Sequence, residues 1–177
     1  MAEFDRSDPA AGSDDLVWWS ATETAARVVA RTISAVEVID AHLARVAAVN
    51  GQINAITRVN PHARAEAEAV DRAVDQGREL ALAGVPVTIK DNVDVAGQTT
   101  PNGVPALDST VASRDAPLVE NLRAAGAVIL GRPNTPEFSW RWHTDNPLFG
   151  PTLNPWDERL TPGGSSGGAS AALASGF

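Results

Sequence analysis

The sequence predicts an α/β fold, a mixed and mainly parallel sheet wrapped by helices. Three observations carry that expectation. Hydrophobic residues make up 44% of the 177, enough to build a core. The N-terminal half shows helix-period apolar patterns behind capping signals. Farther along, two short β-branched runs flank a helical segment, the strand–helix–strand order that builds a parallel sheet.

Taken in order, the chain opens on Met1 to Asp15, a polar and acidic stretch with Pro9, Gly12 and no apolar periodicity. It is expected to be a disordered segment (residues 1–15) ahead of a single domain covering 16–177. Ser20 followed by Glu23 has capping-box spacing, so a helix is expected over Ala21 to Ala30, with Ala25, Val28 and Val29 on its apolar face. Ser34 followed by Glu37 repeats the signal, and Val36, Ile39, Leu43, Val46 and Ala47 then share one face. Asn60-Pro61 reads as an N-cap with proline at the first helical position, opening an Ala/Glu-rich helix that ends at Gly77.

The character changes at Gly84. Val85-Pro86-Val87-Thr88-Ile89 reads as a short buried strand. Asp115 is placed to cap a helix over Ala116 to Ala125, closed by Gly126, and Ala127 to Leu130 reads as a second strand ending at Gly131. Asn134 is placed to cap a short helix through Thr135-Pro136-Glu137-Phe138. A loop rich in Pro and Asn runs from Thr144 to Pro162, and Gly163-Gly164-Ser165-Ser166-Gly167-Gly168 leads into an Ala-rich C-terminal helix.

Net charge is −8, which argues against a nucleic-acid partner, because phosphate binding rests on Lys/Arg neutralisation and counterion release. No apolar stretch approaches the roughly 20 residues of a membrane span, and the N-terminus lacks the cationic start and apolar core of a signal peptide. With no cysteine, disulfides and thiolate chemistry are excluded. A soluble, cytoplasmic protein is the expectation.

Two features bear chemistry. Lys90 ends the first apolar strand, where sites at the carboxyl edge of parallel sheets lie. Partial burial there depresses a lysine's pKa and frees it to act as a base; the plain alternative is a solvated strand end. The glycine-flanked serine pair allows close backbone approaches, and the following helix would aim its N-terminal amides into that loop, a setting for an anion or an oxyanion. A flexible linker and a phosphate loop are the competing readings, and the run lacks the GxxxxGK[ST] pattern of a nucleotide-binding loop.

The blocks Gly84 to Asp91, Gly126 to Phe138, Asn146 to Gly150, Asn154 to Asp157 and Pro162 to Gly168 together resemble the amidase signature family. They occur in the family's order and at its approximate spacing. The resemblance covers about residue 17 to the end and implies an amide hydrolase with a Ser–cis-Ser–Lys triad. It maps Lys90 onto the family's lysine and Ser165 onto the bridging serine, with Gly164–Ser165 the cis bond and Ser166 a supporting hydrogen-bonding residue. Lys90 would take a proton from Ser165, and Ser165 one from a nucleophilic serine that forms an acyl-enzyme. No metal or organic cofactor is implied. The family's nucleophile lies farther along than Phe177, so this chain is expected to be a truncated N-terminal portion of the fold, incomplete and inactive alone.

Other residues are weighed against plainer roles. Ser139, Trp140 and Arg141 fall where the family lines its acyl pocket, and are expected to bind substrate; core packing of the tryptophans and a solvated Arg141 compete with that. His143 beside Thr144-Asp145 invites a Ser/His/Asp triad, which the Lys90/Ser165 pattern outweighs. His42 and His62 are expected to be surface or packing residues. Glu66, Glu68, Asp71 and Asp75 read as a solvated helix face, and Asp91 and Asn92 as residues orienting the Lys90 loop. The expected function is hydrolysis of a small-molecule carboxylic amide to acid plus ammonia or amine, with a homodimer for the full-length enzyme. Two alternatives stand beside it: an amidotransferase A-type subunit, and a catalytically dead remnant serving as a binding module.

Overall fold

The computed structural model describes residues 16–177; the segment expected to be disordered, 1–15, lies outside the described residues. After a 3-10 turn at Leu16–Trp18 come α1 (Ala21–Val29), α2 (Ala35–Ile53), β1 (Ile56–Val59), α3 (Ala63–Asp75), β2 (Pro86–Thr88), α4 (Pro117–Ala124), β3 (Val128–Pro133) and α5 (Gly167–Ala174). Further 3-10 turns occupy Pro105–Leu107 and Glu137–Ser139.

Helices form where the capping signals stand, with local corrections. At α2 the box is complete: the Glu37 amide donates to the Ser34 hydroxyl, and the Ser34 amide to the Glu37 carboxylate. At α1 only half of it forms, because Arg27 holds the Glu23 carboxylate at 2.8 Å. The α2 stripe is rotated from the expected one: Val38, Ile39, His42 and Val46 are buried while Ala47 is exposed. Helix α3 starts later than Asn60-Pro61 suggests. The Asn60 side chain accepts from the His62 amide in a turn before the helix, and donates to the Ile129 carbonyl.

Two carboxylates assigned to a solvated face are structural anchors instead. Asp71 of α3 accepts from the Ala35 and Val36 amides at 2.7 and 3.2 Å, so one helix caps the start of another. Glu66 accepts from the Ile129 amide and pairs with Arg123 at 2.8 Å, tying α3 to β3 and α4. Asp115 does not cap α4; its carboxylate takes the Ala96 amide and Arg123, and α4 begins on Pro117.

The sheet is mixed, in the order β1-β3-β2, with β2 parallel and β1 antiparallel to β3. Strand β1 is absent from the expected elements. Its entry depends on Asn50, whose side chain bonds the Ala55 and Ile56 amides and the Ile56 carbonyl, and on Asn54 in the left-handed region. Gly131 does not end β3; it pairs with Val59 on one side and Thr88 on the other, and the strand runs on to Pro133.

Every residue of β3 is buried because helices cover both faces. Val128 joins the core of α1, α2 and α3, and Leu130 packs with Val46, Ile53, Ala171 and Ala172, which brings α5 onto that face. Ile129 points the other way, against Val119 of α4, Ile89 and Val95. This is the two-residue period of a strand read out by its neighbours. Each fully buried aliphatic side chain contributes roughly 1.5–3 kcal/mol. Among the described residues no helix is long and apolar enough to cross a membrane.

His42 sits inside this packing, 5% exposed. Burial pushes its imidazole from 6.5 down to about 4, against the opposing effect of a backbone hydrogen bond at Gly176. The unfolded chain therefore takes up a proton first as pH falls from about 6.5 towards 4, and the folded state loses stability over that window. The unfolding free energy of the wild type minus that of His42→Leu should fall by about 3 kcal/mol between pH 7 and pH 4. Paired urea titrations measure it, and a constant difference would contradict a neutral buried His42.

Candidate active site

Lys90 leaves the sheet at the carboxyl edge of the parallel pair. The Ile89 amide still donates to Gly131, extending the alignment by one residue, and the Val93 amide then turns back onto the Lys90 carbonyl at 3.0 Å. Beneath this turn lies Arg132, 0% exposed. Its Nη2 donates to the Val93 carbonyl at 2.7 Å and the Lys90 carbonyl at 3.4 Å, and its Nε stands 3.5 Å from Asp91 Oδ1. That ion pair is longer than the roughly 2.7–2.9 Å of a charge-assisted hydrogen bond. Burial accordingly dominates both partners: it pushes Asp91 up to about 6, against the opposing charge of Arg132, and pushes Arg132 down.

The serine pair reaches the lysine from the far end of the chain. The Gly164–Ser165 peptide bond is cis. Nζ of Lys90 lies 2.8 Å from Ser165 Oγ and 3.1 Å from Ser166 Oγ, donating to both. Lys90 is half-buried, and desolvation lowers its pKa from the ordinary lysine value. A neutral Nζ at this distance can accept a hydroxyl proton.

Close packing holds the serine loop. A Cβ on Gly164 would meet the His143 amide nitrogen at 2.8 Å and the Arg141 carbonyl at 2.9 Å. One on Gly168 would stand 2.5 Å from the Asn134 carbonyl and 2.9 Å from that of Ala55. Thr144 clips the loop by donating to the Gly163 carbonyl and accepting from the Gly167 amide, each at 3.0 Å. The first amide of α5 is thus already engaged by Thr144. Thr135 Oγ1 donates to the Ser165 carbonyl at 3.2 Å.

Asn134, expected to cap a helix, instead organises a buried amide network. It donates to Gly150 and Thr152 and accepts from Asn146, whose own amide also reaches the Thr135 carbonyl. Beyond it the chain forms only the three-residue turn Glu137–Ser139.

The three expected substrate-binding residues are not arranged alike. Ser139 turns inward, bonding Asn92 and Thr135 at 3.0 Å each. Trp140 is 87% exposed, and Arg141 is exposed beside Glu137 at 3.4 Å. A hollow of about 550 Å³ lies along the same turn, lined by Asn92, Val93, Thr100 and Asn102 but by neither Trp140 nor Arg141. His143 is exposed, and it meets the glycine loop through its backbone. His62 is exposed and His42 buried. Among the described residues no group of three or more His, Asp or Glu converges to hold a metal ion.

Sequence reasoning did not single out Arg132, Thr135 or Thr144. For Arg132 a signal existed, since a charged residue directly after Val128-Ile129-Leu130-Gly131 sits where the run is still being buried. The threonines stand in segments read as a cap and a loop, and their patterns carry no mark of burial.

The sequence profile of the family described as Amidase matches residues 37–177. An indoleacetamide hydrolase from Bradyrhizobium diazoefficiens is 53% identical over 164 residues, covering 91% of this chain and 31% of that protein. The A-type subunit of a glutamyl-tRNA(Gln) amidotransferase from Paenarthrobacter aurescens is 44% identical, covering 91% and 32%. The crystal structure of a bacterial aryl acylamidase of the amidase signature family superposes with a TM-score of 0.82 at 32% identity, covering 87% of this chain and 33% of that one. The chain spans about a third of the length of the curated relatives it matches.

The packing around Gly168 and Arg132 sets two expectations for stability. Gly168→Ala drives a methyl into rigid backbone and should cost about 1–3 kcal/mol, read as a lower urea midpoint. A midpoint equal to wild type would show that α5 can retreat. Arg132→Leu leaves Asp91 buried without its partner and should cost about 3–5 kcal/mol, while adding Asp91→Leu should restore most of the loss. Additive losses in the double variant would refute the coupling.

Proposed function

The chain belongs to the amidase family, and on that premise we propose that it carries the lysine and bridging serine of an amide hydrolase that converts a carboxylic amide to acid plus ammonia or amine. The observation behind this reading is the 2.8 Å contact between Lys90 Nζ and Ser165 Oγ. In the proposed reaction, neutral Lys90 accepts the Ser165 hydroxyl proton as Ser165 accepts one from a nucleophilic serine. That serine adds to the amide carbonyl and the C–N bond breaks. The relayed proton leaves on the nitrogen, and water then releases the acid from the acyl-enzyme. Following the family pattern, the nucleophile is supplied by the segment beyond the bridging serine. Ser166 Oγ, which accepts from the same Nζ at 3.1 Å, holds the neutral amine so that its lone pair is free to take the Ser165 proton.

For substrate we propose a small aromatic or apolar primary amide. Support comes from the relative named for indoleacetamide at 53% identity, against 42–44% for the amidotransferase subunits. It also comes from the exposed Phe138 and Trp140 rings, 6.2 Å apart and flanking Ser139. Transamidation on tRNA is the rival reading, and the net charge of −8 weighs against it.

The test uses the polypeptide encoded by the whole open reading frame, with indole-3-acetamide and no tRNA. Ammonia release is expected, and Lys90→Ala should lower kcat/KM by about 10⁴-fold or more. Because the base must be neutral, the rate should rise with pH through the depressed Lys90 pKa, earlier than an ordinary lysine would allow. Turnover that survives Lys90→Ala defeats the proposal.

A further inference from the structure

Four polar groups form a line between the turn that carries Lys90 and the loop that carries Ser165. Asn92 Nδ2 lies 3.0 Å from Ser139 Oγ, Ser139 Oγ lies 3.0 Å from Thr135 Oγ1, and Thr135 Oγ1 lies 3.2 Å from the Ser165 carbonyl. Hydroxyl bookkeeping fixes the direction. Each hydroxyl has one proton to give. Thr135 spends its proton on the Ser165 carbonyl, which can only accept, so it must accept from Ser139. Ser139, having donated to Thr135, must itself accept, and Asn92 presents its NH₂ to it. All three bonds therefore point from Asn92 towards Ser165.

The backbone around Ser139 gives independent support. Phe138 and Ser139 both lie in the left-handed region, at φ 49° and 61°. Non-glycine residues reach that region against steric strain, and retain it where their surroundings impose it. Here it turns the Ser139 hydroxyl inward while Trp140, its neighbour, is left 87% exposed.

We propose that Asn92, Ser139 and Thr135 form a one-way hydrogen-bond strut that fixes the bridging serine at proton-transfer distance from the lysine, with Ser139 a positioning residue rather than a substrate ligand. The inference rests on the reading of Lys90 and Ser165 as the reacting pair. Lys90 and Ser165 reside on segments 75 positions apart, and the strut spans that division. Asn92 is two residues beyond the lysine, and the Ser165 carbonyl belongs to the serine itself. Proton transfer falls off steeply with a misplacement of order 1 Å, so a brace at this point bears on rate more than on substrate affinity.

Lys90 is the only lysine among these 177 residues, and in the whole-frame polypeptide labelled with ¹⁵N-lysine its Nζ signal is identified as the one lost in Lys90→Arg, so its titration can be followed without any substrate. Ser139→Gly removes the hydroxyl while suiting the left-handed backbone, so its urea midpoint should not fall. Thr135→Val cuts the strut at the next joint, and Thr135→Ser should preserve it. In the first two variants Lys90 should titrate at higher pH than in wild type, because a loosened Ser165 admits water to Nζ. In the whole-frame polypeptide kcat should fall about 10-fold with KM unchanged. Thr135→Ser should match wild type in both readouts. Wild-type Lys90 titration and kcat in Ser139→Gly overturn the strut; so does a rise in KM at constant kcat, which would return Ser139 to the substrate pocket. Loss of the amidase reading would appear separately, as activity indifferent to Lys90→Ala.

Discussion

A guanidinium with no access to solvent sits at the centre of this arrangement. Arg132 is the penultimate residue of β3, and the groups its guanidinium reaches belong to the turn after β2: the carbonyls of Lys90 and Val93 and the carboxylate of Asp91. Burying that charge is costly unless its partners stay in place, so the turn cannot drift from the sheet without stranding it. The lysine side chain springs from the residue whose carbonyl is held. The position of the proposed base is thus set by an ion pair behind it, and its depressed pKa by the half-buried setting that results.

The sheet is what allows Arg132 to be buried at all. Helices α2, α3 and α5 cover one face of β3, and α4 with Ile89 and Val95 covers the other. The strand's polar end therefore stays inside the molecule. The same enclosure explains the amide network beyond it. Asn134, Asn146 and Thr152 are each at most 4% exposed, and each meets backbone or side-chain partners, as buried polar groups must. That network pins the irregular stretch after β3 against the turn leading from α2 into β1. The glycine-rich loop then packs against it, with Gly168 lying on Asn134.

The two halves of the site are stabilised by different means. The lysine half is electrostatic and deeply buried, whereas the serine half is held by neutral hydroxyls and steric closeness: Thr144 on Gly163 and Gly167, Thr135 on Ser165. Neutral clips near a proton relay have a physical advantage. A charged brace close to Nζ would shift its pKa directly, while a hydroxyl holds geometry with little effect on the charge balance. Desolvation remains the cause of the Lys90 shift.

The sequence by itself determined a good part of this. Capping residues Ser20 and Ser34 set the starts of α1 and α2 because a cap is a local interaction within one turn. The β-branched runs around Val87 and Ile129 became adjacent parallel strands, and the motif blocks singled out Lys90 and Ser165, which the fold brings to 2.8 Å. What it did not disclose are interactions between residues distant in the chain. Strand β1 exists because Asn50 and Asn54 turn the chain onto an edge of β3, and a four-residue segment has too little pattern to declare itself. Asp71 looked solvated because the amides it caps lie 35 and 36 positions earlier. The hydrogen bonds of Ser139 to Asn92 and Thr135 were likewise hidden, because only the packed backbone turns its hydroxyl towards them. Local hydrogen bonds and period are written along the chain, but the partner of a buried polar group is chosen by tertiary packing, and that choice decided which residues brace the site.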